Sequence, residues 1–170
     1  MNAEIVIFGG TAHPELADEI CRHLSVTRSP TRITRFANDC LEVQLQANCR
    51  ERDVYLIQPL VPPVQESLVE LLLMADAARG ASAARVTAVM SHYAYARSDK
   101  KSEPRISIGG RLVADLLVTA GVNRVLTLTL HSPEVHGFFS VADDGRDRPW
   151  HHGARAAYRA AQAGDRKSVV

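Results

Sequence analysis

The sequence predicts an α/β domain in which a parallel sheet is flanked by helices on both faces. Short β-rich runs alternate with amphipathic helical stretches along most of the chain, and the helices are long enough to serve as crossovers. The length of 170 residues suits one domain with a substantial core. Sheets of this kind bind ligands at the carboxyl ends of their strands, so polar residues there are the first candidates for a site.

A strand, a glycine turn and a helix are predicted at the start of the chain. Residues 4–8 (EIVIF) are mostly apolar and β-branched, and they stop at Gly9 and Gly10. Helical spacing follows over residues 13–24, where Pro14 suits the first turn. The apolar side chains of this helix recur every four residues: Leu16, Ile20 and Leu24.

Three further strands are predicted before the next helix, at residues 31–36, 40–46 and 53–58. The first two alternate apolar and polar residues, and the third is an apolar run. The alternation is clearest in the second strand, where three apolar side chains share one face: Leu41, Val43 and Leu45.

The strongest helical signal covers residues 62–81, which two prolines open and Gly80 ends. Its apolar stripe consists of Leu68, Leu71, Leu72 and Ala75. The remaining predicted elements alternate in type: a strand at 85–90, a helix at 109–121 that Gly121 caps, and a strand at 124–130.

Composition argues against several classes of protein. The 20 basic and 19 acidic residues give a net charge of +1, which is not typical of a general nucleic-acid binder. The three cysteines (Cys21, Cys40 and Cys49) are widely spaced, so neither a disulfide scaffold nor a zinc site is expected, and a reducing compartment fits best. No apolar run approaches the ~18 residues of a membrane span, and no signal peptide is recognisable, so the expected location is the cytoplasm.

A highly charged loop follows the strand at 85–90. Tyr93 and Tyr95 stand at its entrance, and its charged residues are Arg97, Asp99, Lys100, Lys101, Glu103 and Arg105. Arginine and lysine hold polyphosphate oxygens, and the tyrosines could stack on a base. The same residues also fit a solvated loop with internal ion pairs, so both interpretations stay open. His131, after the last strand, falls on the same edge of the sheet and fits a metal ligand, an acid–base group or a structural residue.

Two other features are weaker candidates. Gly9 and Gly10 could offer backbone N–H groups to a phosphate, but neither common glycine-rich fingerprint is present, and a tight βα turn is the better interpretation. Asp143 and Asp144 could bind Mg²⁺ or a sugar. They lie, however, in a segment rich in Ala, Arg and Gly, residues 143–170, which we interpret as a poorly structured tail.

Four segments, in order, carry a family resemblance: IFGGTAHPELADEI, RFANDCLEVQLQANCRERDVYLIQ, SLVELLLMADAARGASAARVTAVMSHYAYARSDKK and LHSPEVHGFF. Together they resemble the amino-terminal domain of ribose-phosphate pyrophosphokinases (phosphoribosyl-diphosphate synthetases). The Y-A-R-x-D-K-K loop is the most specific of these motifs. The resemblance implies a type I phosphoribosyltransferase-like fold, with residues 1–142 as the amino-terminal domain.

The resemblance also implies an activity and a site. Family members transfer the β,γ-diphosphoryl group of ATP to the 1-hydroxyl of ribose 5-phosphate and release AMP. The reaction uses Mg²⁺, and its product feeds nucleotide biosynthesis. His131 matches the histidine that binds the Mg²⁺ of Mg-ATP. The residues matched to the ATP site are Phe36, Asn38, Arg97, Ser98, Asp99, Lys100 and Lys101, of which the first two reach ATP from a neighbouring subunit. Cations placed against the transferred group would lower the barrier electrostatically.

This sequence departs from the family pattern in several places. Ser98 occupies a position where many members have Gln, and Cys40 occupies one where a carboxylate often contacts adenine. Thr129 replaces the Asp of the common D-L-H motif. The family's acidic ribose-5-phosphate loop and its Lys-x-Arg loop are not found, so no catalytic residue is assigned. A truncated or frame-shifted chain, inactive alone, is therefore expected.

Two alternatives remain beside that expectation. The chain could be a non-catalytic partner or regulatory subunit of a full-length synthetase, because the family assembles through its amino-terminal domains. A free-standing phosphoribosyltransferase is the other alternative, but it would need the acidic loop. The resemblance thus implies a homo-oligomer or association with a full-length homologue.

Overall fold

The computed structural model describes residues 4–129 and 133–140. Its strands and longer helices are β1 (Ile5–Gly9), α1 (Pro14–Leu24), β2 (Thr31–Arg35), β3 (Leu41–Leu45), β4 (Asp53–Ile57), α2 (Val64–Gly80), β5 (Arg85–His92), α3 (Gly109–Ala120) and β6 (Arg124–Thr129). Two short 3-10 helices cover Ala94–Arg97 and Pro133–Phe138. Every strand and helix predicted within these residues is present. None of the described helices has the length and apolar character needed to cross a membrane.

Four strands form a parallel sheet in the order β1-β4-β5-β6. The predicted α/β architecture is therefore confirmed. β2 and β3 instead pair with each other in an antiparallel hairpin outside that sheet. The sequence pattern identified both as strands but did not separate them from the parallel sheet. Their alternation of half-buried and exposed residues is typical of a hairpin with one solvated face.

The parallel sheet separates two cores. On one face α2 and α3 cover the larger core, which includes Phe8 and Leu56. On the other face α1 packs against Ile7 and Ile57. Because successive side chains of a strand point to opposite faces, neighbouring residues in β1 and β4 contribute to different cores. Helices cover both faces, as the sequence predicts.

The buried stripe of α1 differs from the predicted one. Ala17 and Cys21 are buried, whereas Leu24 is 41% exposed and the other two predicted positions are only half-buried. The helix lies so close to β1 that a Cβ atom on Gly9 would sit 2.8 Å from the Cβ of Ala17. The helix and the strand are therefore closest where α1 carries small side chains, whereas the predicted stripe consisted of large ones.

The carboxyl ends of the four parallel strands meet at one edge of the sheet, here called the carboxyl edge. β1 ends there at the Gly9–Gly10 turn, and His92 of β5 is in register with Thr129 of β6. The charged loop after β5 thus begins beside the end of β6. His131, Asp143, Asp144 and the segment 143–170 lie outside the described residues.

Candidate functional site

The turn after β1 is closed by a buried carboxylate. Glu70 of α2 is 3% exposed, and its two oxygens accept hydrogen bonds from the backbone N–H and the hydroxyl of Thr11, each at 2.6 Å. Gln58, at the end of β4, donates to Glu70 at 3.0 Å and accepts the N–H of Ala12 at 3.2 Å. The backbone donors that a phosphate would need are already bonded. The structure therefore favours the tight βα turn over a phosphate cradle.

Sequence reasoning missed this polar cluster, although a signal for it exists. Ser67 and Glu70 lie on the same helical stripe as Met74, at spacings of three and four residues, and all three side chains are buried. A carboxylate is almost never fully buried without a partner. A glutamate inside the apolar stripe of α2 thus indicates polar partners on neighbouring elements, which Gln58 after β4 and Thr11 in the turn after β1 supply.

The charged loop is attached firmly to the start of α3. The hydroxyl of Ser98 donates to the carbonyl of Ser107 at 3.3 Å and accepts the N–H of Gly109 at 2.8 Å. The carbonyl of Ser98 accepts the N–H of Gly110 at 3.0 Å. Ser98 therefore fixes both ends of the loop on the first turn of α3. Its contact with ATP stays a prediction.

All four cations of this loop are exposed, including the three matched to the ATP site: Arg97, Lys100 and Lys101. Within residues 4–129 and 133–140, none of the three forms an ion pair. Asp99, between them, is half-buried. The internal ion pairs expected of a solvated loop are thus not found for these three cations among the described residues, and the cations are free to contact an anion at the carboxyl edge.

The two tyrosines at the loop entrance have different environments. Tyr93 is 1% exposed, its hydroxyl donates to the carbonyl of Gly110 at 2.6 Å, and its ring lies 5.6 Å from that of Phe139. Burial raises the pKa of Tyr93 well above its ordinary value. Tyr93 is therefore a core residue, and the interpretation that it stacks on a base is wrong. Tyr95 is half-buried, so for Tyr95 that interpretation stays open.

Replacing Tyr93 with phenylalanine is expected to lower the free energy of unfolding by about 1–2 kcal/mol, because the buried hydrogen bond from its hydroxyl to the carbonyl of Gly110 is lost. Urea denaturation followed by circular dichroism measures the change. Tyr55→Phe is the matched control: Tyr55 is half-buried, and its hydroxyl has no hydrogen-bond partner within the described part of the chain. Equal losses in the two variants would contradict the role of the hydroxyl.

The other two residues matched to ATP binding lie at the tip of the β2–β3 hairpin, residues 36–40. Phe36 is 48% exposed, and its N–H donates to the carbonyl of Cys40 at 2.9 Å. The side-chain oxygen of Asn38 accepts the N–H of Cys40 at 3.2 Å, and Asp39 adopts a φ of 64°. The tip is thus a defined turn that presents an aromatic ring to solvent. No hydrogen bond or ion pair between described residues joins it to the charged loop.

The described residues contain no group of three or more His, Cys, Asp or Glu side chains arranged to hold a metal ion. His131, the predicted ligand of Mg²⁺, lies outside these residues. Its role stays a prediction.

Comparison with known proteins gives consistent results. A family model for the N-terminal domain of ribose phosphate pyrophosphokinase matches residues 5–121. A relative from Streptomyces coelicolor also bears the name ribose-phosphate pyrophosphokinase. It is 73% identical over 141 residues, which make up 83% of this chain and 44% of the relative. The ribose-phosphate pyrophosphokinase of Deinococcus radiodurans is 54% identical over 140 residues, 82% of this chain and 44% of that protein.

A solved structure agrees with these sequence matches. The crystal structure of phosphoribosylpyrophosphate synthetase from Mycobacterium smegmatis resembles this fold with a TM-score of 0.79 at 40% identity. The similarity covers 81% of this chain and 46% of that one. The chain therefore spans less than half the length of these relatives.

Proposed function

Because the chain belongs to the ribose-phosphate pyrophosphokinase family through its amino-terminal domain, we propose that it supplies the ATP-binding half of a ribose-phosphate diphosphokinase. In that reaction the β,γ-diphosphoryl group of ATP passes to the 1-hydroxyl of ribose 5-phosphate, and AMP leaves. We propose that the ribose-5-phosphate site lies in a part of the family's chain that this sequence does not match. A cytoplasmic location is part of the same proposal, and the cysteine pattern, which fits a reducing compartment, supports it.

The unpaired cations of the charged loop carry this proposal. Arg97, Lys100 and Lys101 are exposed and form no ion pair within the described part of the chain. They follow β5 at the carboxyl edge, where parallel sheets bind ligands. Arginine binds phosphate oxygens in a bidentate manner, and lysine acts as a compact charge. A triphosphate is the ligand class that best matches several cations on one loop.

The chemistry needs positioning and charge stabilisation more than covalent catalysis. Cations held against the β- and γ-phosphates stabilise charge on the transferred group, and each well-placed donor lowers the barrier by about 3 kcal/mol. Ser98 keeps the loop in shape through its bonds to Ser107 and Gly109. Mg²⁺ arrives with ATP as part of the substrate, and we propose His131 as its protein ligand.

Exposed apolar side chains support association with further subunits. Phe36 at the hairpin tip is 48% exposed, and Val69, Leu112 and Leu116 on α2 and α3 are 47%, 55% and 39% exposed. We propose a homo-oligomer, or association with a full-length homologue, in which Phe36 and Asn38 of one subunit complete the ATP site of another. The same surfaces would serve a non-catalytic partner of a full-length synthetase.

Titration calorimetry on the 170-residue chain tests the proposal. Mg-ATP is expected to bind at least about tenfold more tightly than Mg-AMP, because AMP lacks the phosphates that the loop cations would contact. With ribose 5-phosphate added, chromatography is expected to show no AMP, since the sequence holds neither an acidic ribose-5-phosphate loop nor a Lys-x-Arg motif. Equal affinities for the two nucleotides would contradict the triphosphate site, and AMP formation would refute the expected inactivity.

A further inference from the structure

The β2–β3 hairpin is held against α2 by two kinds of contact. Val43 and Leu45 of β3 pack on the larger core beside α2. At the other end of the hairpin, the guanidinium of Arg35 donates to the carboxylate of Glu66 in the first turn of α2. The same guanidinium lies 3.6 Å from a carboxylate oxygen of Asp39 in the tip. Arg35 therefore joins the tip to the body of the domain.

The register of the hairpin explains why Arg35 faces α2. Arg35 lies opposite Leu41, and Ile33 lies opposite Val43. Residues two apart in a strand share a face, so Arg35 falls on the side that packs against α2. Arg32 falls on the outer side, where it is exposed. Two arginines of one strand thus have different environments.

We propose that the Arg35–Glu66 ion pair, here called the latch, fixes the position of the hairpin tip and thereby sets how Phe36 and Asn38 meet the nucleotide. Phe36 follows Arg35 directly in the chain, so a shift of Arg35 moves the aromatic ring with it. Arg35 and Glu66 are positioning residues. Their effect on the nucleotide rests on the proposed function, because the contact between the hairpin tip and ATP is itself part of that proposal.

The latch acts on geometry more than on stability. The side chains of Arg35 and Glu66 are 43% and 49% exposed, and exposed ion pairs contribute little to the free energy of unfolding. The planar guanidinium engages Glu66 and Asp39 through two different nitrogens, which a lysine ammonium with its single nitrogen does not reproduce. Removing the latch is therefore expected to leave the domain folded and to release the tip.

A nitroxide label on Cys40 reports the position of the tip independently of any nucleotide. Cys40 is exposed, whereas Cys21 and Cys49 are buried, and burial raises the pKa of both of those thiols. At neutral pH the label is therefore expected to react first at Cys40.

Electron paramagnetic resonance on the labelled chain is expected to show a more mobile label in Arg35→Gln and in Glu66→Gln than in the unchanged sequence. The double variant is expected to be no more mobile than either single variant, because both changes remove one interaction. Arg32→Gln, on the outer face of the same strand, is the matched control and is expected to leave the label unchanged. Equal mobility in Arg35→Gln and Arg32→Gln would overturn the latch.

Calorimetry on the unlabelled chains tests the link to the nucleotide. Arg35→Gln is expected to raise the Kd for Mg-ATP about tenfold, because misplaced contacts lose much of their value, while Arg32→Gln leaves it unchanged. A mobile label with an unchanged Kd would overturn the role of the latch in nucleotide binding. Failure of the proposed function would be recognised by a different result: the unchanged chain would bind Mg-ATP and Mg-AMP with equal affinity.

Discussion

Replacing Gly10 with alanine is expected to lower the free energy of unfolding by about 3–5 kcal/mol, which is a large part of the stability of a small domain. A Cβ atom at this position would overlap the side-chain oxygens of Gln58 and Glu70. Both side chains are buried and bonded to the turn, so neither can move without breaking hydrogen bonds to Thr11 and Ala12. Buried polar groups left without partners add to the steric cost.

Gly80→Ala is the matched control for this variant. Gly80 lies at the end of α2, and apart from its two chain neighbours and the backbone of its own helix no described atom lies within 4 Å of the position that a Cβ would take. Alanine there is expected to change the free energy of unfolding by less than about 1 kcal/mol and to favour the helix. Urea denaturation of both variants gives the comparison. Similar midpoints for Gly10→Ala and Gly80→Ala would show that the turn tolerates a side chain.

The secondary structure could be predicted because local signals agree with the tertiary fold. The Pro62–Pro63 pair and Gly80 bracket α2 in the sequence as they do in the structure. Gly121 has a φ of 112°, and its N–H bonds the last turn of α3, as a glycine C-cap does. Each of these features depends on a few consecutive residues, so the chain displays it without tertiary information.

Sheet membership and the polar cluster could not be read in the same way. Pairing of β2 with β3, and of β1 with β4, depends on contacts that no single segment encodes. The bonds from Thr11 to Glu70 join residues 59 positions apart, and the ion pair from Arg35 to Glu66 joins residues 31 apart. Composition marked the charged loop because its cations are adjacent in the chain. The apolar stripe of α2 marks Glu70 as a buried carboxylate, but it cannot identify the partners of Glu70, which come from two other elements.

Removing two loop cations together, by Arg97→Ala with Lys100→Ala, is expected to weaken Mg-ATP binding by about 100-fold. Each hydrogen bond to a charged phosphate contributes about 1.5–3 kcal/mol, and the exposure of both side chains places the effect at the low end of that sum. Affinity for Mg-AMP is expected to change little. The preference for the triphosphate should therefore largely disappear, and calorimetry at fixed ionic strength measures both affinities.

Arg22→Ala with Arg50→Ala removes the same charge from a different place and is the matched control. Arg22 lies in the last turn of α1 and Arg50 before β4, so both belong to the edge of the sheet where the strands begin. If only net charge mattered, the two double variants would lose the same affinity. If the loop at the carboxyl edge holds the triphosphate, only the loss of Arg97 and Lys100 lowers the affinity and flattens its dependence on salt. Unchanged Mg-ATP affinity after the loss of Arg97 and Lys100 would contradict the triphosphate site and favour a solvated surface loop.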